Sequence, residues 1–153
     1  MPKIILETKI YASIEVCFDL SLSVDLHQIS TVKTGEHIVA GVKNGTMKLG
    51  ETVTWRAKHF GIWQELTSKI TEENRPNYFC DEMQKGTFKS LRHKHHFTQK
   101  TDHALMLDIF EFEAPFGIFG EIFNKLMLTN YLKKFLIERD LVIKKYAERL
   151  LNA

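Results

Sequence analysis

Cysteine and proline are nearly missing from this chain: two of the first and three of the second in 153 residues. Cys17 and Cys80 stand far apart with no C-x-x-C pair. Two lone cysteines point to buried thiols in a reducing compartment and argue against a disulfide framework. Long apolar runs are absent too. No window approaches the roughly 18 uncharged apolar residues that a membrane span needs, so none is expected. The opening "MPKIILETKIYA" has no basic segment followed by an apolar run, so no signal peptide is expected and the reading is cytoplasmic. An excess of one charge is missing as well. The net charge of +2 is too small to imply a nucleic-acid partner. Finally, the chain has no G-x-S-x-G, no P-loop and no G-x-G-x-x-G. No cofactor and no resident metal are expected.

What the chain does have is phenylalanine, eleven of them, in a composition of 44% hydrophobic and 26% charged residues. That balance describes an ordered globular chain, expected to form one domain over 1–153. No internal repeat or linker interrupts it. "KIILETKI" (3–10) reads as a strand. Ser13 then caps one or two short helices broken near Ser21–Ser23, with Glu15 placed to meet the helix dipole. "EHIVAGV" (36–42) is a second strand.

From Glu51 onward the period becomes two. In "ETVTWRAKHF" Val53, Trp55, Ala57 and His59 share one face, the pattern of a half-buried antiparallel strand. Strands follow at 62–70, 78–84, 91–98 and 104–113. After Pro115 and Gly117 the period changes to that of a long helix. Phe119, Ile122, Phe123 and Leu126 form one stripe, and Leu128, Leu132, Phe135 and Leu136 continue it. The order predicts an α+β helix-grip fold. A curved antiparallel sheet of about seven strands wraps a long C-terminal helix, with two short helices between strands one and two.

The stretches "GETVTWRAKHFGIWQELTSKI", "FCDEMQKGTF", "LRHKHHF" and "DIFEFEAPFG" resemble one branch of the START-like superfamily of polyketide cyclase/dehydrase and lipid-transport proteins (SRPBCC). Trp55, Phe60, Gly61, Phe79, Asp81, Gly86, Phe88, His93, His95, Phe97, Asp108, Pro115 and Gly117 fit that branch's pattern. Met83 stands where glutamine is usual, Thr87 where proline is usual, and Leu91 where tryptophan is usual. The first two imply a different hairpin and the third a different pocket wall. The resemblance implies a ligand cavity between sheet and helix, and it implies no single reaction.

The densest chemistry lies in "SLRHKHHF" (90–97). On a strand Leu91, His93, His95 and Phe97 share a face, and Leu91 with Phe97 marks it as inward. Arg92, Lys94 and His96 face water; with no aromatic platform beside them, no nucleic acid is expected. Hairpin closure near residue 87 sets Asp81 opposite His93 and Phe79 opposite His95. Closure between Thr101 and Asp102 sets Asp108 opposite His95 and Met106 opposite Phe97. The sequence therefore predicts two Asp–His pairs side by side.

Three readings of these pairs stand open. One is a satisfied polar network that also lines a pocket. Another is a zinc or iron site. The third is acid–base catalysis of cyclase/dehydrase type, with His93, His95, Asp81 and Asp108 as candidates. The expected ligand-binding set is Trp55, His59, Phe79, Asp81, His93, His95, Asp108 and Phe110, with Phe119, Phe123 and Met127 from the helix. His59 is read first as a rim histidine of the core. Trp63 is read as core. The expected partner is a hydrophobic small molecule or lipid; a protein-interaction groove is the remaining alternative.

Overall fold

The computed structural model describes residues 2–114 and 124–151. Seven antiparallel strands form one sheet in the order β1-β7-β6-β5-β4-β3-β2. The strands are β1 (Lys3–Ile10), β2 (His37–Gly41), β3 (Thr52–His59), β4 (Ile62–Asn74), β5 (Tyr78–Lys85), β6 (Ser90–Gln99) and β7 (Ala104–Glu113). Two short helices, α1 (Ile14–Ser21) and α2 (Val24–Ser30), lie between β1 and β2. A π turn (Asn124–Leu128) leads into the long helix α3 (Thr129–Leu151). This is the helix-grip arrangement that the periodicities predict.

Local chemistry accounts for each element. The Ser13 hydroxyl accepts the Val16 N–H at 3.3 Å and Ser23 accepts that of Leu26 at 3.2 Å, so each short helix starts on a serine cap. The β3–β4 hairpin turns through Phe60 and Gly61 with φ of 52° and 76°. Positive φ at both central residues matches the twist of the flanking strands, and glycine supplies one of them without strain. β6 and β7 alternate buried and partly exposed residues along nearly their whole length.

The inward face is layered. One apolar cluster gathers Phe18, Phe79, Phe97, Met106 and Ile143. A second gathers Ile4, Leu91, Phe110, Phe112 and Leu136. Between them, in the same side-chain rows, come Thr8 on β1, Ser68 on β4, Asp81 on β5, His93 and His95 on β6, Asp108 on β7, and Arg139 and Asp140 on α3. A polar belt thus crosses the sheet and divides the core.

Two expectations are corrected. Trp63 is 47% exposed at the end of β4, where it packs against the Arg56 guanidinium and not in the core. Leu126 and Met127 are 71% and 54% exposed, so the helical apolar stripe does not run through them. The π turn changes the rotation per residue and carries both off the buried face, which α3 resumes from Leu132 and Leu136. Phe119 and Phe123, expected in the same stripe, lie outside the described residues.

Phe18 is fully buried and sets its edge against Phe79 and Phe97 at 5.4 and 5.5 Å between ring centres. Phe18→Ala is expected to cost about 3–5 kcal/mol in urea unfolding. A loss below about 1 kcal/mol would show that α1 is not part of the cooperative core.

Candidate functional site

The cross-strand registers are those the strand pattern predicts. Asp81 pairs with His93, Phe79 with His95, Asp108 with His95 and Met106 with Phe97. His93, His95 and Asp108 are 5%, 1% and 1% exposed, so all three point inward. The hydrogen bonds, however, do not follow the directly opposed pairs. His93 Nε2 donates to Asp108 Oδ1 at 2.7 Å, and His95 Nε2 donates to Asp81 Oδ2 at 2.7 Å. Each imidazole reaches its diagonal neighbour, which sheet geometry leaves within range of long side chains. His95 Nδ1 also lies 2.9 Å from Asp108 Oδ1, but off the N–H axis, so the contact is an ionic attraction without a hydrogen bond. The rings stack: Phe79 lies over His95 at 4.1 Å, His95 over His93 at 3.7 Å, and Phe110 meets His93 edge-on at 5.1 Å.

Strand pairing did not point to the helix partners. Arg139 Nη1 reaches Asp108 Oδ1 at 3.5 Å and Asp140 Oδ1 at 3.0 Å. Thr8 donates to Asp140 at 3.5 Å, and Ser68 donates to Asp81 at 3.2 Å. A signal for Arg139 and Asp140 was present: Leu132, Leu136, Ile143 and Ala147 recur at steps of four, seven and four residues, and 139 and 140 fall in the seven-residue gap on the same buried stripe.

The belt sorts its charges. Burial alone would raise the Asp108 carboxyl, but the bond from His93 and the charge of His95 outweigh it and hold the group well below the usual range. Burial is likewise overcome at Asp81, which His95 holds at about 2. For His95, burial favours the neutral ring, yet the carboxylates of Asp108 and Asp81 raise its pKa. His93 goes the other way. Burial, then the charge of His95, lowers it to about 4. Asp140 is pushed up to about 8 by burial and by the negative charge of Asp108. Arg139 does not reverse that shift, because one guanidinium is shared between two carboxyls and Asp108 is already ionised. At neutral pH Asp81 and Asp108 are ionised and favour the charged form of His95, while His93 and Asp140 are mainly neutral.

Beside the belt lies a partly open cavity of about 190 Å³. Of the expected ligand-binding set, Trp55, His59, Phe79, Asp81, His93, His95 and Phe110 line it. Asp108 sits behind the histidines and Met127 is on the surface, so neither lines it. Leu91 and Thr87, two of the positions that depart from the START-like pattern, both form part of the wall. Asp81 keeps 24% of its side chain accessible on this side. His59 is half-buried at the rim, its Nδ1 2.6 Å from the Tyr131 hydroxyl. His27 also lines the wall, its ring tilted against Trp55 at 4.3 Å and bonded to Glu36 at 2.9 Å. Nothing in its local sequence had distinguished it.

Asp81, His93 and His95 each offer one ligand atom, all within 4.8 Å of one another, a set suited to a cation. Yet His95 Nε2 and Asp81 Oδ2 already satisfy each other, and both histidine Nε2 atoms are engaged with carboxylates. A cation there would have to displace a charge-assisted hydrogen bond.

Comparison with solved structures supports the fold. The chain is similar to a START superfamily protein from Mycobacterium smegmatis, with a TM-score of 0.71 and 12% identity over 97% of this chain and 98% of that one. It is similar to the ginseng major latex-like protein 151 from Panax ginseng, with a TM-score of 0.68 and 19% identity over 95% and 97% of the two chains. A third similar structure is norcoclaurine synthase from Thalictrum flavum, with a TM-score of 0.69 and 14% identity over 95% and 85%. No protein-family model and no curated protein sequence matches the chain. The chain has the START-like helix-grip fold. Among the described residues, no helix is long and apolar enough to cross a membrane.

Two predictions arise from the belt. Asp108→Asn takes a carboxylate from His93, His95 and Arg139 together and should cost about 3–5 kcal/mol. Asp140→Asn replaces a group that is mainly neutral at pH 7 and should cost less than about 1.5 kcal/mol. Equal losses in urea unfolding would contradict this division of charge.

The second concerns pH. His93 has a folded pKa below its unfolded value of about 6.5. Its contribution to stability is therefore complete above that pH and is lost as pH falls toward 4. His95, raised, has the opposite sign: its contribution is complete below about 6.5 and is lost as pH climbs through its folded pKa. An NMR titration should find one buried imidazole neutral down to about pH 4 and another whose pKa lies above about 6.5. Two ordinary titrations would contradict the assignment.

Proposed function

We propose that this protein is a binding module for a small hydrophobic molecule, held between sheet and C-terminal helix over a single unit spanning 1–153. The observation that carries the reading is the partly open cavity, with Trp55, Leu91, Phe110, Leu132 and Phe135 supplying apolar wall and His93 and Asp81 a polar end. Apolar pockets with a few convergent polar groups are the usual form of a small-molecule site. Burial of ligand surface supplies roughly 25 cal/mol per Å². The volume favours a small molecule over a lipid. Engineered apolar cavities of about 150 Å³ take up benzene, whereas drug-sized ligands occupy about 300–1,000 Å³. The likeness to START-like folds agrees with such a cavity.

Acid–base catalysis is less well supported. Of the two belt imidazoles that line the cavity, His93 has a pKa lowered to about 4, far from the neutral value at which a general base works best, and His95 is bonded to Asp81. Among the described residues, the other belt groups are already paired with one another.

Ala57 is 3% exposed on β3 and lines the cavity. Ala57→Phe should fill part of the space, leave stability within about 2 kcal/mol, and weaken naphthalene binding at least about ten-fold in ligand-observed NMR. Unchanged binding in a folded variant would place the apolar site elsewhere.

A further inference from the structure

His93 has two ring nitrogens, and Asp108 decides between them. The Asp108 carboxylate accepts from Nε2 at 2.7 Å, so in the neutral ring Nε2 carries the hydrogen and Nδ1 keeps its lone pair. Nδ1 has no hydrogen-bond partner among the described residues, while the ring is 95% buried and lines the cavity. Among the described residues, His95 Nδ1 and Asp108 Oδ2 are fully enclosed without a partner, whereas His93 Nδ1 is not fully enclosed. An acceptor without a partner at the cavity wall is costly to leave empty in an apolar setting, and a ligand donor would satisfy it.

The ligand's own charge is constrained by the same belt. Asp81 and Asp108 are the acidic groups of the belt and His95 and Arg139 its basic ones, each already within 4.0 Å of an opposite partner. Within the belt, no counter-charge is left over for a carboxylate or an ammonium. Bringing either against this wall would bury an uncompensated ion. The Arg139 guanidinium is divided between Asp108 and Asp140.

Building on the cavity-binding reading above, we infer that the ligand is an uncharged, aromatic-sized molecule whose hydroxyl donates to Nδ1 of His93: a phenol or enol. The wall fits that shape. Phe110 meets His93 edge-on, Trp55 and Phe79 line the same space, and about 190 Å³ accommodates one or two fused rings and little more. Asp108 is then a positioning residue that sets the tautomer, and His93 is the recognition residue.

The test compares naphthalene, 2-naphthol and 2-naphthoate by calorimetry and ligand-observed NMR at pH 7. The alcohol should bind about five- to ten-fold tighter than the hydrocarbon, the worth of one neutral hydrogen bond, and at least about ten-fold tighter than the carboxylate. His93→Phe should erase the preference for 2-naphthol while naphthalene still binds. Should that variant fail to fold, ¹⁵N NMR of histidine-labelled native protein answers the same question. The unprotonated Nδ1 resonance of His93 should shift with 2-naphthol and stay in place with naphthalene.

Equal binding of naphthalene and 2-naphthol, or tightest binding of 2-naphthoate, would overturn the inference and leave the apolar cavity standing. An unmoved Nδ1 resonance under saturating 2-naphthol would overturn it too. No binding of any of the three would overturn both readings together.

Discussion

The buried carboxylate of Asp108 is the constraint on which the rest of this site depends. It stands on β7, takes a hydrogen bond from His93 on β6, lies beside His95, and receives the Arg139 guanidinium from α3. A charge this deep persists only when it is paired. Its partners come from two different elements, so ionising Asp108 and docking α3 against the sheet are one event. The identity of Asp108 also fixes the state of its neighbours: it raises Asp140, helps hold His95 charged, and orients the His93 ring.

Buried ionic clusters are weak evidence for stability, since apolar residues of the same volume often do as well or better. Here the cluster separates two apolar regions that could have merged. Phe79, Phe97 and Ile143 pack on one side of it, and Phe112, Leu91 and Leu136 on the other. Those regions supply the cohesion. The belt between them supplies polarity at a defined depth, and the cavity opens beside it between the sheet and Leu132, Phe135 and Leu136 of α3.

The fold was legible because period-two strands and a period-3.6 helix are encoded locally. Val53, Trp55 and Ala57 alternate without interruption, and Ser13 and Ser23 announce their helices. The histidine strand was legible to the level of register, since Leu91 and Phe97 orient it and a one-residue slip would turn both outward. What strand patterns do not contain is the choice among neighbours. Opposed and diagonal partners lie within reach of an imidazole, and the diagonal ones hold the hydrogen bonds. Arg139 and Asp140 were missed for a related reason: attention to apolar spacing passes over a charged residue that keeps the spacing. Met127 failed because a π turn shifts the helical phase, which no periodicity before it foretells.

The departures from the START-like pattern acquire a physical meaning in this frame. Leu91 stands where an indole is usual, and it forms part of the cavity wall. Replacing a flat, rigid aromatic with a branched aliphatic changes the shape of the wall without touching the belt, because Leu91 is two residues along the strand from His93 and packs with Phe112 and Leu136. Thr87 opens the β5–β6 connection at the same cavity edge. Both changes lie on the apolar side, which sets size and shape. The residues that set polarity, Asp81, His93, His95 and Asp108, all match the pattern. A chain that keeps the polar belt and varies the apolar wall changes which molecule fits while holding constant the His93 acceptor that the proposed ligand would satisfy.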